Sequence, residues 1–146
     1  MLFSRINKTD PEKVFIVVKA GEALLQGRPV CYHWTGTDDG KIGWLADAAT
    51  DGPLVVGLAD AAIAAGAYGL VQCYGYRSDA QMIMASDAAA NCGAVMAVAS
   101  ASSGHLYMLS SLGAAAAVFT PFTLALSASQ TTTAGLITGG ILIRCM

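Results

Sequence analysis

Residues 88–143 contain no Asp, Glu, Lys or Arg. Of the 18 charged side chains in the 146-residue chain, 17 lie at or before Asp87 and the last is Arg144. A domain of this length leaves about a third of its unfolded surface exposed. An average soluble domain devotes about 25% of its residues to charge, and here the share is 12%. Such a chain either turns small neutral residues to water, has much of its surface covered by other protein, or crosses a membrane. A spanning helix needs ~20 consecutive apolar residues. The charge-free run is broken by Asn91, Gly93, Ser100, Ser102, Ser103, Gly104 and His105, then by Pro121 and the polar residues 127–133. Its longest clean piece is residues 112–119. The run therefore reads as a surface between subunits, since obligate interfaces resemble a core cut in half, and no membrane partner is expected.

Strand periodicity dominates the rest. Residues 13–19 (KVFIVVK) are β-branched and apolar between a polar segment and Gly21. Residues 30–34 (VCYHW) place Val30, Tyr32 and Trp34 on one face and Cys31 and His33 on the other. Residues 54–58 (LVVGL) follow Pro53, and residues 70–76 (LVQCYGY) set Leu70, Gln72, Tyr74 and Tyr76 on one face. Further strands are expected at 81–85, 95–100, 106–109, 115–120, 136–138 and 141–145. Turn chemistry separates these runs at 26–29 (QGRP), 37–40 (TDDG), 50–53 (TDGP) and Ser103-Gly104. The pattern predicts an all-β fold, a β-sandwich or jelly-roll-like barrel of short antiparallel strands. Residues 1–12 read as an extended N-terminal arm and residues 13–146 as a single β domain. Residues 60–65 (DAAIAA) could instead form one or two helical turns between Asp60 and Gly66. Residues 87–98 mix helix-favouring Ala with Gly93, Val95 and Val98, and read as a strand after a turn. No repeat of fixed period stands out.

Motifs for chemistry are sparse. Cys31 and His33 share a strand face, with Asp38 and Asp39 close behind, which is the donor set of a metal site. An exposed strand face beside a DDG turn explains the same residues. The TDDG segment lacks the late Glu of a calcium loop, because no Glu follows Glu22. His105 follows Ser102 and Ser103 but has no G-x-S-x-G elbow nearby. Gly135, Gly139 and Gly140 do not build a phosphate loop, and Gly66 with Gly69 does not build a dinucleotide fingerprint. Trp34, Trp44, Tyr68, Tyr74 and Tyr76 could form a sugar platform, although aromatics more often fill cores and interfaces. Cys31, Cys73, Cys92 and Cys145 show no CxxC spacing and are expected reduced and mostly buried. The net charge of −2 with scattered basic residues points away from nucleic acid. No catalytic, cofactor-binding or metal-binding residue is expected, and no cofactor.

Three stretches carry a resemblance to a known family. They are residues 14–29 (VFIVVKAGEALLQGRP) running into VCYHWTGTDDG, residues 54–60 (LVVGLAD) and residues 63–76 (IAAGAYGLVQCYGY). Gly27-Arg28-Pro29-Val30 fits a G-x-P-V strand start, and residues 63–75 fit an I-A-x-G-x-x-G-x-V-Q segment ending in Gly75. In these respects the first 80 or so residues resemble bacteriophage head decoration, or capsid cement, proteins. The resemblance implies a β-sandwich or barrel body, clustering as a homo-oligomer with a trimer favoured over a dimer, and binding to the major capsid protein on the capsid surface. It implies a virion protein made in the host cytoplasm, with no catalysis. A tail or spike module of the virion and a lectin-like carbohydrate-binding module are the alternatives.

Overall fold

The structure, a computed structural model, describes residues 12–32, 40–84, 95–98, 104–108, 123–125 and 135–145. The expected arm (1–12, except Glu12), His33, Trp34, Asp38, Asp39, Cys92, Ser102, Ser103, the strand at 115–120 and most of 87–98 lie outside the described residues. The described elements are β1 (Val14–Ala20), β2 (Pro29–Tyr32), β3 (Ile42–Leu45), a 3-10 segment (Ala49–Leu54), β4 (Val55–Ala59), β5 (Tyr68–Met84), β6 (Val95–Val98), β7 (Leu106–Met108), β8 (Thr123–Ala125) and β9 (Gly135–Arg144). No described helix is long and apolar enough to cross a membrane.

The fold is all-β, and its strands close on themselves. β1 pairs with β3, β3 with β2, β2 with β4, β4 with β5, and β5 returns to β1, which makes a closed five-stranded barrel. A second closed circuit runs from β5 through β7, β6, β8 and β9 back to β5. The 17-residue β5 is thus common to both. Its first half faces β1 and β4, and its second half faces β9 and β7. Closure leaves no open sheet edge within a circuit.

The all-β class and a barrel were expected, as a sandwich or jelly-roll-like barrel of short antiparallel strands; the strands are neither all short nor all antiparallel. The β1–β3 and β5–β7 pairings are parallel, and the two strands expected at 70–76 and 81–85 are one continuous strand. The intervening Arg77-Ser78-Asp79-Ala80 reads as a polar break in the sequence. Yet Arg77 and Ala80 are buried, and the ladder to β9 continues past them with one register shift. Likewise 136–138 and 141–145 merge into β9. β3 and β8 were not anticipated from the pattern. In β3, Gly43 looks like a strand breaker, but it lies against Val18 and Val30, where a Cβ would collide with both side chains.

Two apolar clusters fill the body. Val18, Ala20, Leu24, Val30, Ala59, Ile63 and Val71 form the core of the first barrel. Cys31, Leu58, Ala80, Met82, Val98, Leu106, Ile141 and Ile143 belong to the second. Val30 and Cys31 are sequence neighbours with opposite faces, as are Ala59 and Leu58. The β2–β4 pair is therefore buried on both sides, which is why its residues read as continuous apolar runs rather than as an alternation.

The structure also contains a repeat that the sequence hides. The corner after β1 and the corner after β4 have the same backbone, offset by a constant 39 residues: Ala20 corresponds to Ala59, Leu24 to Ile63, Gly27 to Gly66 and Arg28 to Ala67. The two copies are bonded reciprocally. The Leu24 N–H donates to the Ile63 carbonyl and the Ile63 N–H to the Leu24 carbonyl, both at 2.9 Å. The Ala20 N–H donates to Ala67 at 2.9 Å, and its counterpart Ala59 to Arg28 at 3.0 Å. The Gly66 N–H donates to Ala20 at 2.7 Å, and Gly27 to Ala59 at 2.9 Å. Strand register obeys the same relation, with Lys19 opposite Tyr68 and Leu58 opposite Pro29. Between residues 20–27 and 59–66 only the Ala, Ala and Gly at 20/59, 23/62 and 27/66 are identical, so the sequence shows little of it. Residues 60–65 accordingly form a bridged turn rather than a helical one.

A polar clasp holds both corners to β5. Buried Arg77 bonds the Asp60 carbonyl at 3.1 Å and pairs with the carboxylates of Asp60 at 3.4 Å and Asp79 at 2.8 Å. The Gln26 amide donates to Asp79 at 2.8 Å, the Arg28 guanidinium to the Gln81 side chain at 3.2 Å, and the Gln81 N–H to the Gly27 carbonyl at 3.1 Å. Gly27 (φ 74°) and Gly66 (φ 79°) both occupy left-handed backbone. A Cβ on Gly27 would lie 2.5 Å from the Asp79 carbonyl oxygen, whereas one on Gly66 would meet nothing within 4 Å. Gly66→Ala should therefore cost only the left-handed backbone term, roughly 1–2 kcal/mol. Gly27→Ala should cost clearly more, as read from urea unfolding of both variants. Equal losses would contradict the clasp.

Candidate interaction surface

The alternation of β1 and the first half of β5 puts one residue set into the barrel and the other outside. Ile16 and Val18 point inward with Val71, and Phe15, Val17, Tyr68, Leu70, Tyr74 and Tyr76 point outward. The antiparallel register places Phe15 opposite Gln72, Val17 opposite Leu70 and Lys19 opposite Tyr68, so the outward residues form one band. Val17 is 65% exposed and Tyr68 72% exposed, which is unusual for large apolar groups. A contiguous exposed apolar patch on a soluble domain marks an interaction site.

The band is held rigidly. Gln72 lies in its middle but is buried, because its amide turns along the strand and donates to the Tyr74 carbonyl at 3.2 Å and the Tyr76 carbonyl at 3.1 Å. These carbonyls flank Gly75 (φ 102°), close to where the β1–β5 register slips between Val14 and Phe15. Gly75 has no room for a side chain, since a Cβ there would meet the Glu12 carbonyl. The Tyr76 ring lies over Gly140 of β9, covering a strand glycine that offers no side chain of its own. At the other end of the band, Tyr68 and Leu70 help line an open cleft of about 280 Å³ that includes Asp60 and Ile63.

The candidates for chemistry separate in space. Cys31 is buried in the second core rather than on an exposed strand face. Burial, reinforced by Asp51 and Asp47, pushes its thiol up to about 12. Cys145 is half-buried at the end of β9, and its N–H donates to the Cys73 carbonyl at 3.0 Å. Burial, with Cys73 beside it, raises the Cys145 thiol to about 12 as well. Cys73 is buried and lies 3.3 Å from the Val14 carbonyl. Cys31, Cys73 and Cys145 are all free thiols. The raised values keep Cys31 and Cys145 as neutral thiols at pH 7, poorly suited to attack. Among the described residues no three His, Cys, Asp or Glu side chains converge on a point. His105 is buried in the turn before β7. Of the proposed aromatic platform, Tyr68, Tyr74 and Tyr76 share the outer band, while Trp44 packs against the second core and over Gly21. Sequence reasoning missed the Arg77 clasp. Its signal was a lone Arg in the apolar run 68–84, two residues before Asp79.

No family model matches the chain, and no curated protein does. Among solved structures it is similar to the head fiber gp8.5 N base of bacteriophage phi29, with 16% identity and a TM-score of 0.48, over 92% of this chain and 96% of that one.

The thiols give a pH signature. Their folded pKa values lie above the ordinary 9.0, so their contribution to stability is intact below pH 9 and declines as the pH rises toward about 12. Unfolding free energy measured against pH should fall across that window. The fall should be shallower in Cys31→Ala compared with its own value at pH 8. An unchanged slope would contradict the burial of Cys31.

Proposed function

We propose that this chain is a structural virion protein that binds the outside of a phage capsid as a homo-oligomer and stabilises the shell by bridging major capsid protein subunits. The observation that carries this reading is the outward band of Phe15, Val17, Tyr68, Leu70, Tyr74 and Tyr76 on a closed barrel. It is a preformed apolar face on a chain with little charge to spend on solvation. The resemblance of residues 14–29 running into VCYHWTGTDDG, 54–60 and 63–76 to capsid cement proteins points the same way.

The mechanism asks nothing of catalysis. A rigid barrel loses little conformational entropy on docking. An oligomer presents its face several times, so individually weak contacts combine through a high effective concentration. A shell bridged in this way resists internal pressure because several interfaces must break together. A trimer is favoured over a dimer.

A lectin-like module is the second reading, favoured by one feature. Tyr68 stands exposed beside a cleft that also holds the Asp60 carboxylate, a pairing of aromatic face and acceptor that suits a sugar ring. The Asp60 carboxylate is already engaged by Arg77, which weakens that reading.

Shells of the cognate phage lacking the protein, heated with and without added purified chain, test the proposal. The added chain should raise the temperature of shell disruption, and Val17→Asp should lose most of that gain while remaining folded. Equal disruption temperatures with and without the wild-type chain would sink the cement reading. A glycan-array signal abolished by Tyr68→Ala would move the assignment to the lectin-like reading.

A further inference from the structure

The internal repeat supplies a comparison within one molecule. The first corner turn, Gln26-Gly27-Arg28, is covered by the extended segment at Asp79 and Gln81 of β5. Its counterpart, Ala65-Gly66-Ala67, has the same backbone but stands in the open. Residues 64–68 are all exposed, and a Cβ on Gly66 would meet no atom within 4 Å. The same local structure is thus seen once with an extended strand seated on it and once without.

We infer that the open turn at residues 65–67, together with Tyr68, is the contact through which a second copy of this chain docks, by laying an extended segment across Gly66 as β5 lies across Gly27. This rests on the homo-oligomer reading above and gives that oligomer a surface. The chemistry of the two turns differs in an informative way. Gln26 and Arg28 offer polar groups to Asp79 and Gln81, but their counterparts are Ala65 and Ala67. What remains to recognise a partner is the Gly66 carbonyl, the equivalent of the Gly27 carbonyl that accepts from Gln81, and an apolar rim of Ala65, Ala67 and Tyr68.

A partner segment for such a site must be extended and uncharged. A buried charge would find no counterion there, since the nearby Asp60 is held by Arg77, and burying an unpaired charge is strongly unfavourable. This chain matches that requirement: residues 88–143 are uncharged and rich in Ala, Ser and Thr. The open turn adjoins the outward band at Tyr68, so a docked copy sits at one end of the band and leaves Phe15, Val17, Tyr74 and Tyr76 free to face the shell.

Sedimentation across a concentration series tests this on the full chain, with three proteins compared. The wild type should form a discrete oligomer. Ala65→Glu with Tyr68→Glu should raise the dissociation constant about tenfold or more, with its urea midpoint little changed. Lys41→Glu, an exposed substitution away from the turn, should leave the oligomer intact. A monomeric wild type, or an oligomer indifferent to the double substitution, would overturn the inference.

Hydrogen exchange of the unmodified chain guards against a misfolded variant. Exchange at residues 64–68 should slow as the concentration rises through the dissociation range. No slowing, or slowing only when capsids are added to a monomeric chain, would also overturn it. Failure here with shell stabilisation still present would leave the cement reading standing, whereas loss of shell stabilisation alone would remove that reading and leave this contact intact.

Discussion

The hydrogen-bonded ladder of β5 is the interaction on which the rest of the structure depends. Both closed circuits pass through this strand, one by way of β1 and β4, the other by way of β7 and β9. A strand that must serve two circuits cannot stay flat and regular. Register slips at Cys73, between the Val14 and Phe15 pairings, and between Arg77 and Ala80 absorb the change of direction, as bulges do. The backbone groups disturbed there are not left unpaired. The Gln72 amide takes up the carbonyls of Tyr74 and Tyr76, and Arg77 gathers Asp60 and Asp79 around the second slip.

Those polar groups explain how a charge-poor chain places its few charges. Arg77 is buried, and a buried cation persists only with partners, because an uncompensated buried charge costs several kcal/mol by order of magnitude. Its carboxylates are about half-exposed, so the pair acts as a locator of loops more than as a large source of stability. What it locates is the start of the second corner at Asp60 and, through Asp79 and Gln26, the first corner turn. The outward face of the same strand then remains free to carry Tyr68, Leu70, Tyr74 and Tyr76 at defined spacing.

Much of this was legible in the sequence. The alternation at 70–76 put Leu70, Gln72, Tyr74 and Tyr76 on one face, of which all but Gln72 are exposed, and Val30 and Cys31 were placed on opposite faces, as the two cores confirm. The all-β class followed from the same periodicity. What stayed hidden has physical causes. Gly43 and the polar stretch 77–80 look like breaks when read locally, yet one is required by close packing and the other is satisfied by distant partners. Closure into circuits and the parallel β1–β3 and β5–β7 pairs are long-range facts that no local pattern encodes. The duplicated corner escaped notice because its geometry needs only a glycine in a left-handed turn and a bridging Leu or Ile. Of the aromatics read as a possible sugar platform, Tyr68, Tyr74 and Tyr76 share the outward band. Their separation from Trp44 depends on a strand, β3, that the pattern did not reveal.

The central claim is that the outward band of β1 and β5 is covered by protein in the working assembly. Hydroxyl-radical footprinting of the chain, free at low concentration and bound to intact capsids, measures this at the side chains concerned. Modification of Phe15, Tyr68, Tyr74 and Tyr76 should drop several-fold on binding, while exposed residues elsewhere, such as Lys41 and Pro53, stay as reactive as before. Equal modification of the four aromatics in both states would contradict the account.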